Sequence, residues 1–238
     1  MNYRIFGKLG WKVSDIGFGA WAIGGNAWGK QDDNESIRAL HTALDLGCNF
    51  IDTAQGYGNG HSEHLIGRVL RERGGSKVYV ATKIPPASPG HWPPAWHEKA
   101  EARYPEKYLR ERIEMSLRDL QTDCIDLLQL HTWTRAWNRA PLPLDILSKL
   151  RAEGKIRGIG ISSPEPDQNA LVDLMRGGWL DAVQIIYNIF EQGPAAEILP
   201  AALDHKVGVI VRVVFDEGVL TGKFTKDTRF PEGDSRKN

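Results

Sequence analysis

Cysteine is nearly absent: the 238 residues contain only Cys48 and Cys124. Two cysteines cannot form a disulfide framework. Each opens an apolar, strand-like run, as expected of a small buried hydrophobe in a reducing compartment. Long apolar runs are absent too, and Met1-Asn2-Tyr3-Arg4 leads into no signal-peptide core. A soluble, cytoplasmic protein with no membrane partner is therefore expected. Nor is there an excess of charge of either sign: 30 basic and 30 acidic side chains cancel, so no overall field draws the chain to nucleic acid or an anionic surface. The Gly-rich dinucleotide fingerprint, which would follow a strand and open a helix, is missing. Gly218 to Lys223 falls one residue short of a phosphate-binding loop. His61 and His64 lie three apart with no third ligand, so no metal site is expected.

What is present is ordinary globular composition, 41% hydrophobic and 25% charged, at a length that suits one domain over residues 1–238. The organising stretch runs from Asn49 to Glu63. A short apolar strand turns polar at Asp52, glycines at 56, 58 and 60 permit a tight loop, and an amphipathic pattern starts at Ser62.

Before it, Val13 to Trp21 reads as a strand and Gly24-Gly25-Asn26 as a loop. Asn34 is placed as the N-cap of a helix carrying Ile37, Leu40 and Leu44. After it come a helix from Ser62 to Arg73, a strand over Lys77–Lys83, a long surface loop over Ile84–Tyr104 and a helix from Glu106 to Leu120. Strands then recur at 124–131, 155–163, 182–188 and 207–214, separated by helices around Leu144–Leu150, Leu171–Met175 and Ile198–Leu203. A polar, charged tail leads to Asn238.

Short β-branched strands alternating with amphipathic helices imply parallel βαβ units. Seven such strands predict an α/β fold, a (β/α)8 TIM barrel whose last βα unit is missing from this chain; such barrels run to about 250 residues. An open barrel exposes edge strands, which would favour association into a homo-oligomer that covers the seam.

Parallel strands place their carboxyl ends on one face, where Asp52, Tyr57, Lys83 and His131 all fall. A tyrosine near pKa 10 is a weak acid at neutral pH, but a neighbouring ammonium favours its phenolate and a carboxylate can hold that ammonium. Lys83 and Asp52 suit those roles if their strands are neighbours, and His131 could orient a carbonyl toward Tyr57. Such a site protonates an oxygen as negative charge develops on it. Taken singly, each residue also has an ordinary reading as a loop residue, an ion-pair member, an exposed aromatic or a satisfied histidine. Tryptophans in the predicted loops of this face, Trp21, Trp92 and Trp133 among them, suggest an apolar substrate pocket with a small polar centre, though packing alone could explain any one.

These residues bring out a resemblance that covers nearly the whole chain. Phe50-Ile51-Asp52-Thr53-Ala54, Tyr57-Gly58 and Ser62-Glu63 resemble the first signature of the aldo-keto reductases. Ala81-Thr82-Lys83 resembles their lysine strand and Asp126 to His131 their histidine strand. Gly154 to Arg157, Gly160-Ile161-Ser162, Gln184 with Tyr187-Asn188, and Gly218 to Lys223 match later landmarks in order. The family includes bacterial reductases and potassium-channel β-subunits.

The resemblance implies a (β/α)8 barrel that binds NADPH and reduces a small aldehyde or ketone. Tyr57 would be the proton donor, tuned by Lys83 and Asp52, with His131 positioning the carbonyl. Ser162 and Gln184 match positions that contact the nicotinamide carboxamide, and Ser163 stands where asparagine is frequent. Arg212 stands where most relatives stack an aromatic ring on the nicotinamide; a guanidinium can also stack. Relatives hold the adenosine 2′-phosphate with a later βα unit absent here, which leaves NADH open as the cofactor. A non-catalytic cofactor-binding or regulatory barrel, or an inactive truncated relative, is the alternative.

Overall fold

A computed structural model describes residues 1–25, 31–75, 77–230 and 232–237. The chain opens with a hairpin, β1 (Tyr3–Phe6) antiparallel to β2 (Trp11–Ser14), with Phe6 opposite Trp11. Between them Gly7 and Gly10 take φ of +49° and +70°, angles that favour glycine. The main sheet follows: β3 (Phe18–Gly19), α1 (Asp33–Asp45), β4 (Phe50–Asp52), α2 (His61–Arg73), β5 (Tyr79–Ile84), α3 (Ala100–Arg103) and α4 (Glu106–Leu120). It continues through β6 (Ile125–Leu130), α5 (Leu142–Ala152), β7 (Ile156–Ser162), α6 (Val172–Arg176), β8 (Ala182–Ile186), α7 (Ile198–Asp204) and β9 (Gly208–Arg212). β3 to β9 pair in sequence order as one seven-stranded sheet, and every pairing in it is parallel.

The elements form where the patterns put them. On α4, Leu109, Ile113, Leu117 and Leu120 are all buried, one stripe at helical spacing. All six residues of β6 are buried, as suits a parallel strand covered on both faces. The sheet curls: Asp52 on β4 and Gln184 on β8, four strands apart, are hydrogen-bonded at 2.9 Å, whereas four steps across a flat sheet would separate them by roughly 19 Å. This is a (β/α)8-type barrel lacking one unit, with β3 and β9 as its edges. Among the described residues no helix is long and apolar enough to cross a membrane.

Three expectations are corrected. The stretch Val13–Trp21 is not one strand: its start belongs to the hairpin, and only Phe18 and Gly19 pair with β4. The N-cap of α1 is Asp32, whose side chain accepts from Glu35 N at 2.9 Å, and Asn34 lies inside the helix. The segment around Leu171 is a 3-10 turn over Glu165–Leu171 that hands on to α6. Gly24 ends a 3-10 turn, Ala22–Gly24; Asn26 and Asn238 lie outside the described residues. Cys48 is buried, whereas Cys124 is half-buried.

The hairpin plugs the amino-terminal end of the barrel. Phe6 and Val13 pack with Phe50, Ala81, Leu127 and Ala182 from four strands, and Phe6 lies 5.4 Å from the Phe50 ring. Gly208 is required beneath it, because a Cβ there would stand 2.6 Å from the Phe6 ring. Trp11 stacks on Tyr79 at 4.8 Å. Replacing Phe6 by alanine should leave a cavity in this plug and cost about 3–5 kcal/mol of stability. Urea unfolding would measure it, and an unchanged midpoint would show that the hairpin does not support the barrel.

Candidate active site

Strand β4 ends at Asp52, β5 brings Lys83 into register with Gln129 of β6, and His131 follows β6 directly. Inward positions alternate along each strand, so these polar groups share the barrel interior at its carboxyl end. Tyr57 comes from the β4–α2 loop, where its N–H donates to Ala54 O and its carbonyl accepts from Ser62 N. Gly24 backs this loop so closely that a Cβ on it would fall 2.7 Å from the Tyr57 carbonyl carbon.

Lys83 is the centre. Its side chain is 1% exposed, and Nζ donates to Asp52 Oδ2 at 2.9 Å, Thr53 O at 2.7 Å and the Tyr57 hydroxyl at 3.3 Å. An ammonium has three protons, and all three are placed. Burial is the largest single influence on Lys83 and lowers its pKa. The charges of Asp52 and Tyr57, with their hydrogen bonds, together outweigh it and raise the value above the ordinary one. Asp52 is held in turn by Gln184 Nε2 at 2.9 Å and Gln129 Nε2 at 3.4 Å.

His131 stands edge-on to Tyr57, ring centroids 5.8 Å apart. Burial first, then the charges of Lys83 and Arg212, hold its pKa well below the usual histidine value, so the ring is neutral. Its Nδ1 is buried without a partner.

The four residues expected to act together are thus brought together. They open into a cleft of about 1600 Å³ that also takes in the seam between β3 and β9. Trp21 and Trp92 line it. Trp21 lies 6.4 Å from Tyr57, and Trp92 stands edge-on to His131 at 5.1 Å, so the segment after β5 reaches over this face. The expected 84–104 surface loop is shorter, however: Ile84 ends β5, and α3 and the buried Tyr104 close it. Trp133 does not join them. It is fully buried, edge-on to Trp137 at 5.1 Å, with Nε1 donating to Asn138, and belongs to the core. Ser162 and Gln184 face the cleft, and Gln184 Oε1 is buried without a donor. Arg212 ends β9, pairs with Glu165 at 3.2 Å and keeps its Nε buried and unpartnered.

Sequence reasoning missed Gln129. Its signal was a lone amide in an apolar strand, two residues before His131 and therefore on the same face. Glu165 was missed because its partner Arg212 is 47 residues away, with no pattern joining them.

The Asp52–Lys83 pair generates a test with a defined sign. Because the folded pKa of Lys83 is raised, its stabilising contribution is complete below the unfolded value and is lost as pH climbs through the folded one. In Asp52→Asn burial governs instead. The ammonium is left without its counter-charge, stability at pH 7 drops by about 3–5 kcal/mol, and part returns as alkali removes the Lys83 proton. Chemical denaturation at neutral and alkaline pH would show it; equal stability of the two proteins at pH 7 would mean the ammonium does not need Asp52.

Comparison with known proteins agrees with this geometry. The model of the Aldo/keto reductase family matches residues 15–238. Aldo-keto reductase YhdN of Bacillus subtilis is 36% identical over 245 residues, spanning 100% of this chain and 69% of that protein. The NADH-specific methylglyoxal reductase of Escherichia coli is 31% identical, over 95% of this chain and 70% of its own length. The glycerol dehydrogenase from Gluconobacter oxydans superposes with a TM-score of 0.78 at 38% identity, covering 99% of this chain and 70% of that one. With the barrel, the lysine-centred site and these matches in agreement, the chain belongs to the aldo/keto reductase family.

Proposed function

We propose that this chain reduces a small aldehyde or ketone to the alcohol, with Tyr57 as proton donor and NADPH as cofactor. The observation that carries the reading is the buried Lys83 ammonium, shared between Asp52 and the Tyr57 hydroxyl. A hydroxyl that accepts from Lys83 keeps its own proton for another acceptor. The ammonium places positive charge where the phenolate forms as that proton leaves. His131 is neutral and its Nδ1 is partnerless, so its proton is best placed on Nε2, as a second donor to the carbonyl oxygen. Trp21 and Trp92 give the substrate an apolar seat beside these polar groups.

The residues fit a nicotinamide. Gln184 Oε1 is a buried acceptor without a donor, beside the buried Ser162, which suits the two N–H groups of a carboxamide. The cofactor, when bound, supplies the hydride. Arg212 would lie at the edge of that subsite. NADH is the second reading, favoured by the name of the Escherichia coli relative, which is NADH-specific.

The test is oxidation of NADPH and of NADH, followed by absorbance, with a panel of aldehydes and ketones. Tyr57→Phe should lower kcat by about 10²–10⁴ while circular dichroism stays unchanged. No turnover by the folded wild type, or undiminished turnover by the variant, would sink the reading.

A further inference from the structure

Glu63 is fully buried, yet the chemistry described above does not use it. It lies in the first turn of α2, facing β5 and α4. Its Oε1 accepts from Thr82 Oγ1 at 2.6 Å, while Oε2 is buried with no partner. Close by, Gln55 Nε2 donates to Arg112 O at 2.9 Å and Ser116 Oγ at 3.4 Å, and Gln55 Oε1 is likewise buried and unpartnered. The cluster therefore holds more acceptors than donors. A proton on Glu63 would supply a donor and remove an uncompensated buried charge.

The groups that bear on Glu63 come from every packed element. From β5 there are Thr82, whose hydrogen bond favours the carboxylate, and, more distantly, the Lys83 ammonium, which does so too. From α4 there are Ser116, whose hydroxyl also favours the carboxylate, and the Asp119 carboxylate, which disfavours it. Asp119 stands at the start of α2, its Oδ2 at 2.8 Å from where a Cβ on Gly60 would lie. Burial is the largest influence, and the pKa is pushed up to about 7.

The position of Glu63 gives this proton a consequence. Thr82 precedes Lys83 on β5, and Glu63 sits six residues after Tyr57, on the helix that the Tyr57 loop enters. The neighbouring Ser62 ties the same turn to Ala20 O and Thr53 Oγ1, both at 2.9 Å. We propose that Glu63 is a positioning residue: it fastens the strand carrying Lys83 to the helix that anchors Tyr57, and loss of its proton puts an uncompensated charge into that buried contact and loosens it. The proposal rests on the reductase reading for its effect on turnover, but not for its effect on Tyr57.

Three measurements on the full chain and its Glu63→Gln variant test it. The first is thermal stability against pH. With the folded pKa raised, wild-type stability falls as pH rises from the ordinary carboxyl range through about 7. Glu63→Gln, which cannot ionise, should lose that slope and unfold several degrees higher at pH 8. The second is the Tyr57 ring resonance in tyrosine-labelled protein, assigned by its absence in Tyr57→Phe. It should shift through pH 7 in wild type and stay still in Glu63→Gln. The third is kcat, which should decline above pH 7 in wild type but not in Glu63→Gln. Glu63→Ala, lacking the Thr82 contact, should lower kcat severalfold with KM unchanged, and glutamine should restore it. Equal stability slopes, or a Tyr57 resonance that behaves alike in wild type and Glu63→Gln, would overturn the proposal. Absence of turnover with the resonance behaving as stated would overturn only the reductase reading.

Discussion

A positive charge buried in the barrel is the constraint on which the rest depends. Removing an ammonium from water costs several kcal/mol even after relaxation, and Lys83 is 1% exposed. Its three protons reach a carboxylate, a backbone carbonyl and a phenol, so the cost is offset only while β4, β5 and the β4–α2 loop hold their relative positions. Asp52 must also be fixed, and it is fixed by amides from β6 and β8. The curl of the sheet is therefore a condition of the site as well as a feature of the fold. Four strands converge on one carboxylate, and a flatter sheet would leave the ammonium without its counter-charge.

Much of this was legible in the sequence because barrel chemistry follows strand periodicity. Asp52, Lys83 and His131 each stand at or just past the end of an apolar run, and parallel strands bring such ends to one face. Helix α4 was equally legible: it occupies Glu106–Leu120, the interval its leucine and isoleucine spacing marks out. The hairpin was not. Gly7-Lys8-Leu9-Gly10 between two alternating segments is a turn signal, but both strands are four residues long and the second runs toward the glycine-rich start of β3. Periodicity alone merges the second strand with β3 and leaves Tyr3–Phe6 unassigned.

The tryptophans show a different limit. Trp92 and Trp133 occupy predicted loops at the same face, and composition cannot separate them. What does separate them is the partner each indole N–H or ring face finds. Trp133 lies among Tyr104, Trp137 and Asn138, all satisfied within the core. Trp92 is 58% exposed and stands edge-on to His131 in the cleft. Cross-loop contacts of this kind have no sequence period. Glu63 escaped for a related reason: it lies in a recognisable motif, yet its burial and its unpaired oxygen emerge only when α2 packs on α4 and β5.

The geometry also separates two requirements that family membership joins. The polar groups around Lys83 come from β4, the β4–α2 loop, β5 and β6, consecutive elements whose hydrogen bonds close among themselves and onto β8. Arg212 stands on β9, at the sheet edge, pairing with Glu165 across exposed ground. A change at the seam between β9 and β3 bears first on Arg212, and through β8 and Gln184 on Asp52. On that side a single strand, β9, lies between the seam and Gln184 of β8, which holds the Asp52 oxygen that Lys83 also contacts. On the other side β3 offers only two paired residues, but its contribution to the site is backbone: Ala20 donates to Asp52 O and accepts from Ser62, bonds that an open edge leaves in place.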